Sequence, residues 1–318
     1  MSVPASLKAR WQQLLGDDLL AEDVPLAPYT SFRVGGPAEV LAMPSRREHL
    51  IALLLDAHRA GIPITLLGGA SNVLVPDEGV RGLVVINRCR GYRVEPAPRP
   101  HVWVESGMSL AGLARALIRE GWDGLTWAVS IPGTVGGAVV GNAGAHGGDI
   151  ASVLEEVTLL EADGRVHRVP GAALELAYRT SRLKRARRAG RPFPVVLDAR
   201  LRVWPGDPDR LRAVADAHLA YRRRTQPGEP SVGSVFRNPP GDYAGRLIEA
   251  AGLKGYRLGN VAVSPVHANF IVNLGGGRAA EVLALMRLIQ ERVATRFGVH
   301  LEPEIIVLGQ GEYVEQRG

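Results

Sequence analysis

Two glycine-rich segments constrain this chain more than any other feature: Leu66-Leu-Gly-Gly-Ala-Ser-Asn-Val-Leu-Val75 and Ser130-Ile-Pro-Gly-Thr-Val-Gly-Gly-Ala-Val-Val-Gly-Asn-Ala-Gly144. Each follows or contains an apolar run that reads as strand. Each then presents backbone without Cβ atoms beside small hydroxyl and amide side chains. That combination lets several N–H groups approach a pyrophosphate closely. No Lys-Ser/Thr pair closes either segment, so neither is a P-loop, and neither reads Gly-x-Gly-x-x-Gly between a strand and a helix. Two such segments point to one extended dinucleotide gripped from two sides; the competing reading is a pair of ordinary turns.

With 318 residues, 46% hydrophobic and 22% charged, the chain has the composition of a soluble globular protein of two or three modules. No stretch approaches the roughly 18 uninterrupted apolar residues of a membrane span. The segment Met1-Ser-Val-Pro-Ala-Ser-Leu-Lys-Ala-Arg10 lacks a charged-then-apolar signal pattern, so the expectation is a cytoplasmic chain without membrane insertion. Cys89 is the single cysteine, which excludes an intramolecular disulfide framework and a Cys-x-x-Cys motif. The formal charge is +6, and of the 38 basic residues only Lys8, Lys184 and Lys254 are lysine. Arginine forks suit phosphates and carboxylates, which favours small anionic ligands over nucleic acid.

The pattern along the chain predicts an α+β fold. Residues 1–24 read as a helical lead-in. Val40–Met43 reads as strand, and Ser45-Arg-Arg-Glu48 as a capping box opening a helix that buries Leu50, Leu53, Leu54 and Ala57. Strands follow at Ile64–Leu67, Gly82–Asn87, Gly91–Glu95 and His101–Glu105; Ser109 caps a helix that ends at Gly121. Val153–Glu161 and Arg165–Val169 read as a hairpin on a type I′ turn at Asp163-Gly164. Val195–Val203 is strand, Pro205-Gly206-Asp207-Pro208 a boundary, and Arg210–Arg224 helix. Beyond them come a helix at Tyr243–Ala251, strands at Val261–Ser264 and His267–Asn273, a long amphipathic helix at Ala279–Phe297 and a closing strand at Val299–Leu308. Boundaries near Cys89 and at Pro205-Gly206-Asp207-Pro208 separate 1–88, 89–204 and the residues from 205 onward.

Three short segments outside the glycine-rich pair could carry chemistry. In Tyr178-Arg-Thr-Ser181, Arg179 could hold a carboxylate bidentately or be a solvated surface residue. In Gly233-Ser-Val-Phe-Arg-Asn-Pro239, Ser234 could pass a proton or merely cap a turn; no Gly-x-Ser-x-Gly elbow surrounds it. In Leu301-Glu-Pro-Glu-Ile-Ile-Val-Leu308, period-two alternation places Glu304 on one face with Ile306 and Leu308. A carboxylate there would suit a general acid or an enol-stabilising group; the rival reading is a strand end facing solvent. The run Arg182 to Arg191 carries six basic residues in ten and reads as a hydrated loop. His267 reads as a hydrogen-bonded structural residue, and no spacing of Asp, His and Cys makes a metal site.

Taken in order, these segments resemble the UDP-N-acetylenolpyruvoylglucosamine reductase family. The resemblance runs from Tyr29-Thr-Ser-Phe-Arg-Val-Gly-Gly36 to Leu301–Gly309, through Ile131-Pro-Gly-Thr-Val-Gly-Gly137, Asn142-Ala-Gly144, Tyr178-Arg179, the Ser234 segment, His267-Ala-Asn-Phe-Ile271 and Leu301-Glu-Pro-Glu304. It implies a two-part FAD-binding region of the vanillyl-alcohol-oxidase (PCMH) type, 1–88 completed by 299–318 and then 89–204, plus a C-terminal α+β substrate domain, 205–298. FAD would be non-covalent, wrapped by Gly68, Gly69, Ala70, Ser71, Asn72 and Val73 and by Gly133, Thr134, Gly136, Gly137, Asn142 and Gly144. NADPH would supply hydride for the enolpyruvyl double bond of a UDP-sugar. Ser234 would protonate the adjacent carbon, Arg179 and Glu304 would stabilise the enolate-like state, and Tyr178, Arg237 and Asn238 would contact substrate.

The stretch between Arg179 and Ser234 is short and lacks the inserted loop whose tyrosine clamps substrate in one class of the family, which places the chain in the shorter class. Ala70 stands where many relatives have glycine, and its methyl group is tolerated there if φ is negative. No obligate protein partner is expected. Two rival readings are a related flavin oxidase with another substrate, and a nucleic-acid binder using Arg182–Arg191.

Overall fold

The computed structural model describes residues 2–16 and 18–309. The chain forms two compact units. The first takes the chain up to Glu22, Glu39–Gly69 and Arg81–Tyr221; the second takes Asp23–Ala38, Ala70–Val80 and the chain from Arg222 onward. The expected completion of the first module by 299–318 runs past the described residues after Gly309.

The first unit is built on two larger sheets. One has the strand order Leu19–Pro25, Pro37–Met43, Val80–Ile86, Ile64–Leu67. Its last two strands pair in parallel, with Ile64 opposite Leu83 and Leu67 opposite Ile86. Val80–Ile86 is buried at every position but Arg81, as a parallel strand covered on both faces requires. The helix Arg47–Arg59 buries Leu50, Leu53, Leu54 and Ala57 as the spacing predicts. The second sheet is an antiparallel array in the order Val166–Pro170, Leu154–Leu160, Val195–Arg202, His101–Glu105, Tyr92–Glu95. It packs with the helix Leu110–Arg119 around Val102, Val104, Leu113, Leu117, Val157 and Leu201. Burying each such branched side chain contributes about 1.5–3 kcal/mol. Ser109 caps that helix through a bond from the Gly112 N–H at 3.1 Å, a contact worth about 1 kcal/mol. The buried Asp198 carboxylate takes an ion pair from Arg47 at 2.6 Å and the Thr158 hydroxyl at 2.7 Å.

In the second unit, Arg257–Leu258, Val261–Val263 and Ile271–Asn273 form an antiparallel meander. The helix Ala279–Phe297 buries Val282, Leu285, Met286, Ile289 and Val293. Asp77 caps it from across the unit, accepting the N–H groups of Ala279 at 2.8 Å and Ala280 at 3.1 Å. Ile306–Val307 pairs in parallel with Val73–Leu74.

Several local expectations are corrected. The lead-in is the helix Ala5–Leu15 followed by the strand Leu19–Pro25. Ser45 does not cap; the helix begins at Arg47, and the Ser45 N–H is bonded to Asp18 at 3.0 Å. The hairpin turn has positive φ only at Gly164, with Gly164 N–H to Glu161 carbonyl at 3.1 Å and Glu161 N–H to Arg165 carbonyl at 2.9 Å. That is a three-residue loop, not a type I′ turn. The strands expected at His267–Asn273 and Val299–Leu308 shrink to Ile271–Asn273 and Ile306–Val307. The basic run is a helix, Arg182–Arg188, capped by Ser181 through the Lys184 N–H at 3.1 Å. Leu183, Lys184 and Ala186 are buried in it, so it is not a hydrated loop.

Candidate active site

Within the first unit, Gly68 and Gly69 of the first glycine-rich segment meet Gly133 and Thr134 of the second. A Cβ on Gly69 would lie 2.8 Å from the Gly133 Cα, and one on Gly68 would collide with the Thr134 Oγ1. Only bare backbone permits that approach. The second segment is not a strand and loop: Val135–Gly141 is helical, with Thr134 as its N-cap and Asn142 closing it in the left-handed conformation at φ 44°. Gly136 is packed too closely for a side chain, since its Cβ would lie 2.8 Å from the Ser106 Cβ, and its N–H donates to the Ser106 carbonyl at 2.8 Å.

Beneath both segments lies a residue that the sequence did not reveal. The buried Asn87 donates its N–H to the carbonyl of Leu67 at 2.9 Å, at the end of the strand leading into the first segment. Its Nδ2 donates to the Ser106 hydroxyl at 2.9 Å. Asn87 thus bonds the strand entering the first segment through its main chain and, through its side chain, Ser106, whose carbonyl accepts the Gly136 N–H.

Asn142 is buried and spends its side chain on the protein. Its Oδ1 accepts the Ala151 N–H at 3.0 Å, and its Nδ2 donates to the Ala177 carbonyl at 3.1 Å and to Asp149 at 3.4 Å. Ala177 begins the turn that carries Tyr178 and Arg179, closed by reciprocal Ala177 and Thr180 backbone bonds of 3.1 Å. Arg179 is half-buried with φ 55°; its guanidinium lies 5.9 Å from the ring of Tyr178, which is 61% exposed. Below the turn the basic helix is committed to its surroundings. Arg185 pairs with Glu175, and Arg187 reaches the Pro194 carbonyl at 3.0 Å. Burial lowers Arg187 to about 10.

In the second unit, Ser234 and Glu304 are brought together. The Glu304 N–H donates to the Val235 carbonyl at 2.8 Å, and the Arg237 N–H donates to the Glu302 carbonyl at 2.9 Å. Asn269 holds the same strip from the other side, with Oδ1 accepting the Phe236 N–H at 3.0 Å and Nδ2 donating to the Phe236 carbonyl at 2.8 Å. Gly233, at φ 81°, lets the chain turn immediately before Ser234. Glu304 shares its face with Ile306, as the alternation predicts, but that face is not the buried one. Ile305 is the core residue at 4% exposure and Ile306 is 39% exposed, so Glu304 is half-buried on the side away from the core.

The remaining candidates are placed as follows. Arg237 pairs with Glu302 at 3.3 Å, and the Asn238 Oδ1 accepts the N–H of Ala244 at 3.1 Å, capping the helix Ala244–Ala250. Asn72 donates to the Glu304 carbonyl at 3.2 Å. Val73 starts the short strand paired with Ile306. Ala70 is buried at φ 43°, not at negative φ, and holds the Ser31 N–H at 3.2 Å; its methyl group sits in a conformation that glycine would adopt more cheaply. Burial lowers His267 below the ordinary imidazole value, and its Nδ1 accepts the Asn269 N–H at 3.2 Å, the structural role expected of it. His146, just past Gly144, stacks on His218 with ring centroids 4.0 Å apart.

Gly69 and Gly137 are exposed, and Gly68, Gly133, Thr134 and Gly144 half-buried, so the paired glycine backbones offer an accessible, side-chain-free surface of the kind a dinucleotide pyrophosphate needs. Among the described residues, no three His, Cys, Asp or Glu side chains gather to hold a metal ion, and no helix is long and apolar enough to cross a membrane.

Residues 38–170 match the family described as FAD binding domain. With the mixed α and β architecture, this defines an FAD-dependent oxidoreductase whose FAD-binding region is followed by a C-terminal α+β region. Residues 226–308 match the family described as UDP-N-acetylenolpyruvoylglucosamine reductase, C-terminal domain. The chain is 45% identical over 290 residues to the UDP-N-acetylenolpyruvoylglucosamine reductase of Chloroflexus aggregans, covering 91% of this chain and 97% of that one. It is 46% identical over 288 residues to that of Rubrobacter xylanophilus, covering 91% and 95%. The crystal structure of the Thermus caldophilus reductase superposes with a TM-score of 0.76 at 35% identity, covering 91% of this chain and 98% of that one. The chain belongs to the UDP-N-acetylenolpyruvoylglucosamine reductase family.

Proposed function

We propose that the chain reduces the enolpyruvyl group of UDP-N-acetylglucosamine-enolpyruvate, giving UDP-N-acetylmuramate for peptidoglycan synthesis, in the cytoplasm where NADPH and the UDP-sugar are found. The partition into 1–88 with 299–318, 89–204 and 205–298 corresponds to two cofactor subdomains and a substrate domain. Bound FAD would supply the redox chemistry, taking hydride from NADPH and passing it to the enolpyruvyl methylene carbon. Gly68, Gly69, Gly133, Thr134 and Gly137 would hold its pyrophosphate through backbone, with Ala70, Ser71 and Val73 continuing the first segment and Gly144 the second. Asn72, Gly136 and Asn142 hold the shape of these segments through the bonds described above.

Hydride addition builds negative charge on the substrate carboxylate. Arg179 binds that carboxylate with a guanidinium, an interaction that strengthens as the charge develops. Ser234 gives its hydroxyl proton to the carbon bearing the carboxylate, completing the addition of one hydride and one proton across the double bond. Glu304 stabilises the same enolate-like state, and Tyr178, Arg237 and Asn238 line the approach of the UDP-sugar.

The observation that carries this reading is the 2.8 Å bond from the Glu304 N–H to the Val235 carbonyl, which fixes the carboxylate residue beside the serine residue. Replacing Ser234 with Ala tests it. Bleaching of the flavin by NADPH should proceed at its normal rate, and the return of the oxidised spectrum on adding the enolpyruvyl UDP-sugar should slow by about 10²–10⁴-fold. Unchanged rates in both halves would remove Ser234 from the chemistry.

A further inference from the structure

The turn bearing Arg179 needs outside support, because a residue with a side chain persists in the left-handed region only where its surroundings over-determine it. Arg179 sits there at φ 55°. One support is Asn142, on the Ala177 carbonyl at 3.1 Å. The other is Lys184, whose Nζ donates to the Arg179 carbonyl at 2.9 Å.

Lys184 is unusual for this chain. Lys8 and Lys254 form ion pairs with Glu22 and Glu249, with side chains 25% and 33% exposed, whereas Lys184 is 6% exposed. The other basic positions are arginine. A guanidinium is a broad planar fork, whereas an ammonium is a compact point charge that fits beneath a single carbonyl. The helix carrying Lys184 is itself anchored. The buried Ser181 accepts the Lys184 N–H at 3.1 Å and donates its hydroxyl to the Val140 carbonyl at 2.6 Å, on the helix that begins at the second glycine-rich segment.

We propose that Lys184 is the positioning residue for Arg179. Its ammonium grips the Arg179 carbonyl, holds the left-handed turn and aims the guanidinium before substrate arrives. The inference rests on the reductase reading, in which Arg179 meets the substrate carboxylate.

The test compares Lys184→Met, Lys184→Gln and Lys184→Arg, each alone and combined with Arg179→Ala, as FAD-loaded full-length protein. Lys184→Met should bleach with NADPH at the normal rate, return with the enolpyruvyl UDP-sugar roughly 10–100-fold more slowly, and bind UDP-N-acetylmuramate more weakly in calorimetry. Lys184→Gln and Lys184→Arg, which keep a donor, should recover part of the loss, and they decide the matter should the methionine variant not fold. In the Arg179→Ala background Lys184→Met should add almost nothing, because both changes remove one interaction. Equal slowing in both backgrounds, or none in either, overturns the inference while leaving the reductase reading intact. An Arg179→Ala enzyme that keeps its return rate and its product affinity removes Arg179 from the chemistry, and the inference with it, whereas unaltered protein whose flavin does not return with the sugar removes the reductase reading.

Discussion

Asn72 and Glu304 lie 232 positions apart, and the Asn72 Nδ2 donates to the Glu304 main-chain carbonyl at 3.2 Å. The Asn72 carbonyl accepts the Ile306 N–H at 3.0 Å, and the Glu304 N–H reaches the Val235 carbonyl at 2.8 Å. Glu304 is therefore pinned on one side to the first glycine-rich segment and on the other to the Ser234 strip. Asn72→Ala should cost about 0.5–1.5 kcal/mol in unfolding free energy. It should also slow the return of the oxidised flavin spectrum more than the bleaching by NADPH. Stopped-flow of both halves checks this, and equal slowing of the two would count against a link through Glu304.

The paired glycine backbones make a sharper prediction. Gly69→Val should lower FAD affinity by at least about tenfold, because its Cβ, 2.8 Å from the Gly133 Cα, forces the two segments apart. Gly141→Ala is the matched control. Its Cβ meets nothing within 4 Å and it lies in the helix Val135–Gly141, so it should retain FAD and gain about 0.5–1 kcal/mol of stability. Titration of the apoprotein with FAD, followed by fluorescence, separates the two outcomes.

Glu39 governs part of the acid limb of stability. Burial opposes its ionisation, but the Gly82 N–H, the Ser2 hydroxyl, the Val3 N–H and the charge of Arg81 outweigh it and hold the carboxyl down to about 2, against 4.5 in the absence of these contacts. The folded state then binds fewer protons than the unfolded chain between these values. The contribution is complete above about pH 4.5 and is lost as pH falls from there toward about 2. Glu39→Gln should lower stability at neutral pH and flatten the loss across that window. Urea unfolding at a series of pH values tests it, and parallel wild-type and variant curves would contradict it.

What the sequence displayed was local. Period-two and helical spacing located the hairpin Leu154–Pro170 and the helix Ala279–Phe297 because each is set by neighbours in the chain. The helix Val135–Gly141 was hidden, since glycine has poor helix propensity. It forms because Thr134 and Asn142 cap its ends and Ser106 leaves no room for a side chain at Gly136. The helical basic run was likewise invisible, because packing of Leu183 and Ala186 and the Ser181 cap outweigh the repulsion among its charges. Ala70 shows the reverse case, a residue whose identity argues for negative φ held at 43° by its surroundings.

Ser234, Arg179 and Glu304 stood out as chemical types in short motifs. Asn87, Asn269 and Asp77 gave no such signal. Each holds a backbone group distant in sequence or a turn through its own side chain, and a lone amide or carboxylate in a sequence does not name its partner.

The most direct measurement is the visible spectrum of the purified protein, followed anaerobically through addition of NADPH and then of the enolpyruvyl UDP-sugar. The account predicts an oxidised-flavin spectrum that bleaches with NADPH and returns in full with the sugar. A flavin that bleaches and stays bleached would contradict the substrate assignment, and a colourless protein that takes up no added FAD would contradict the role given to both glycine-rich segments.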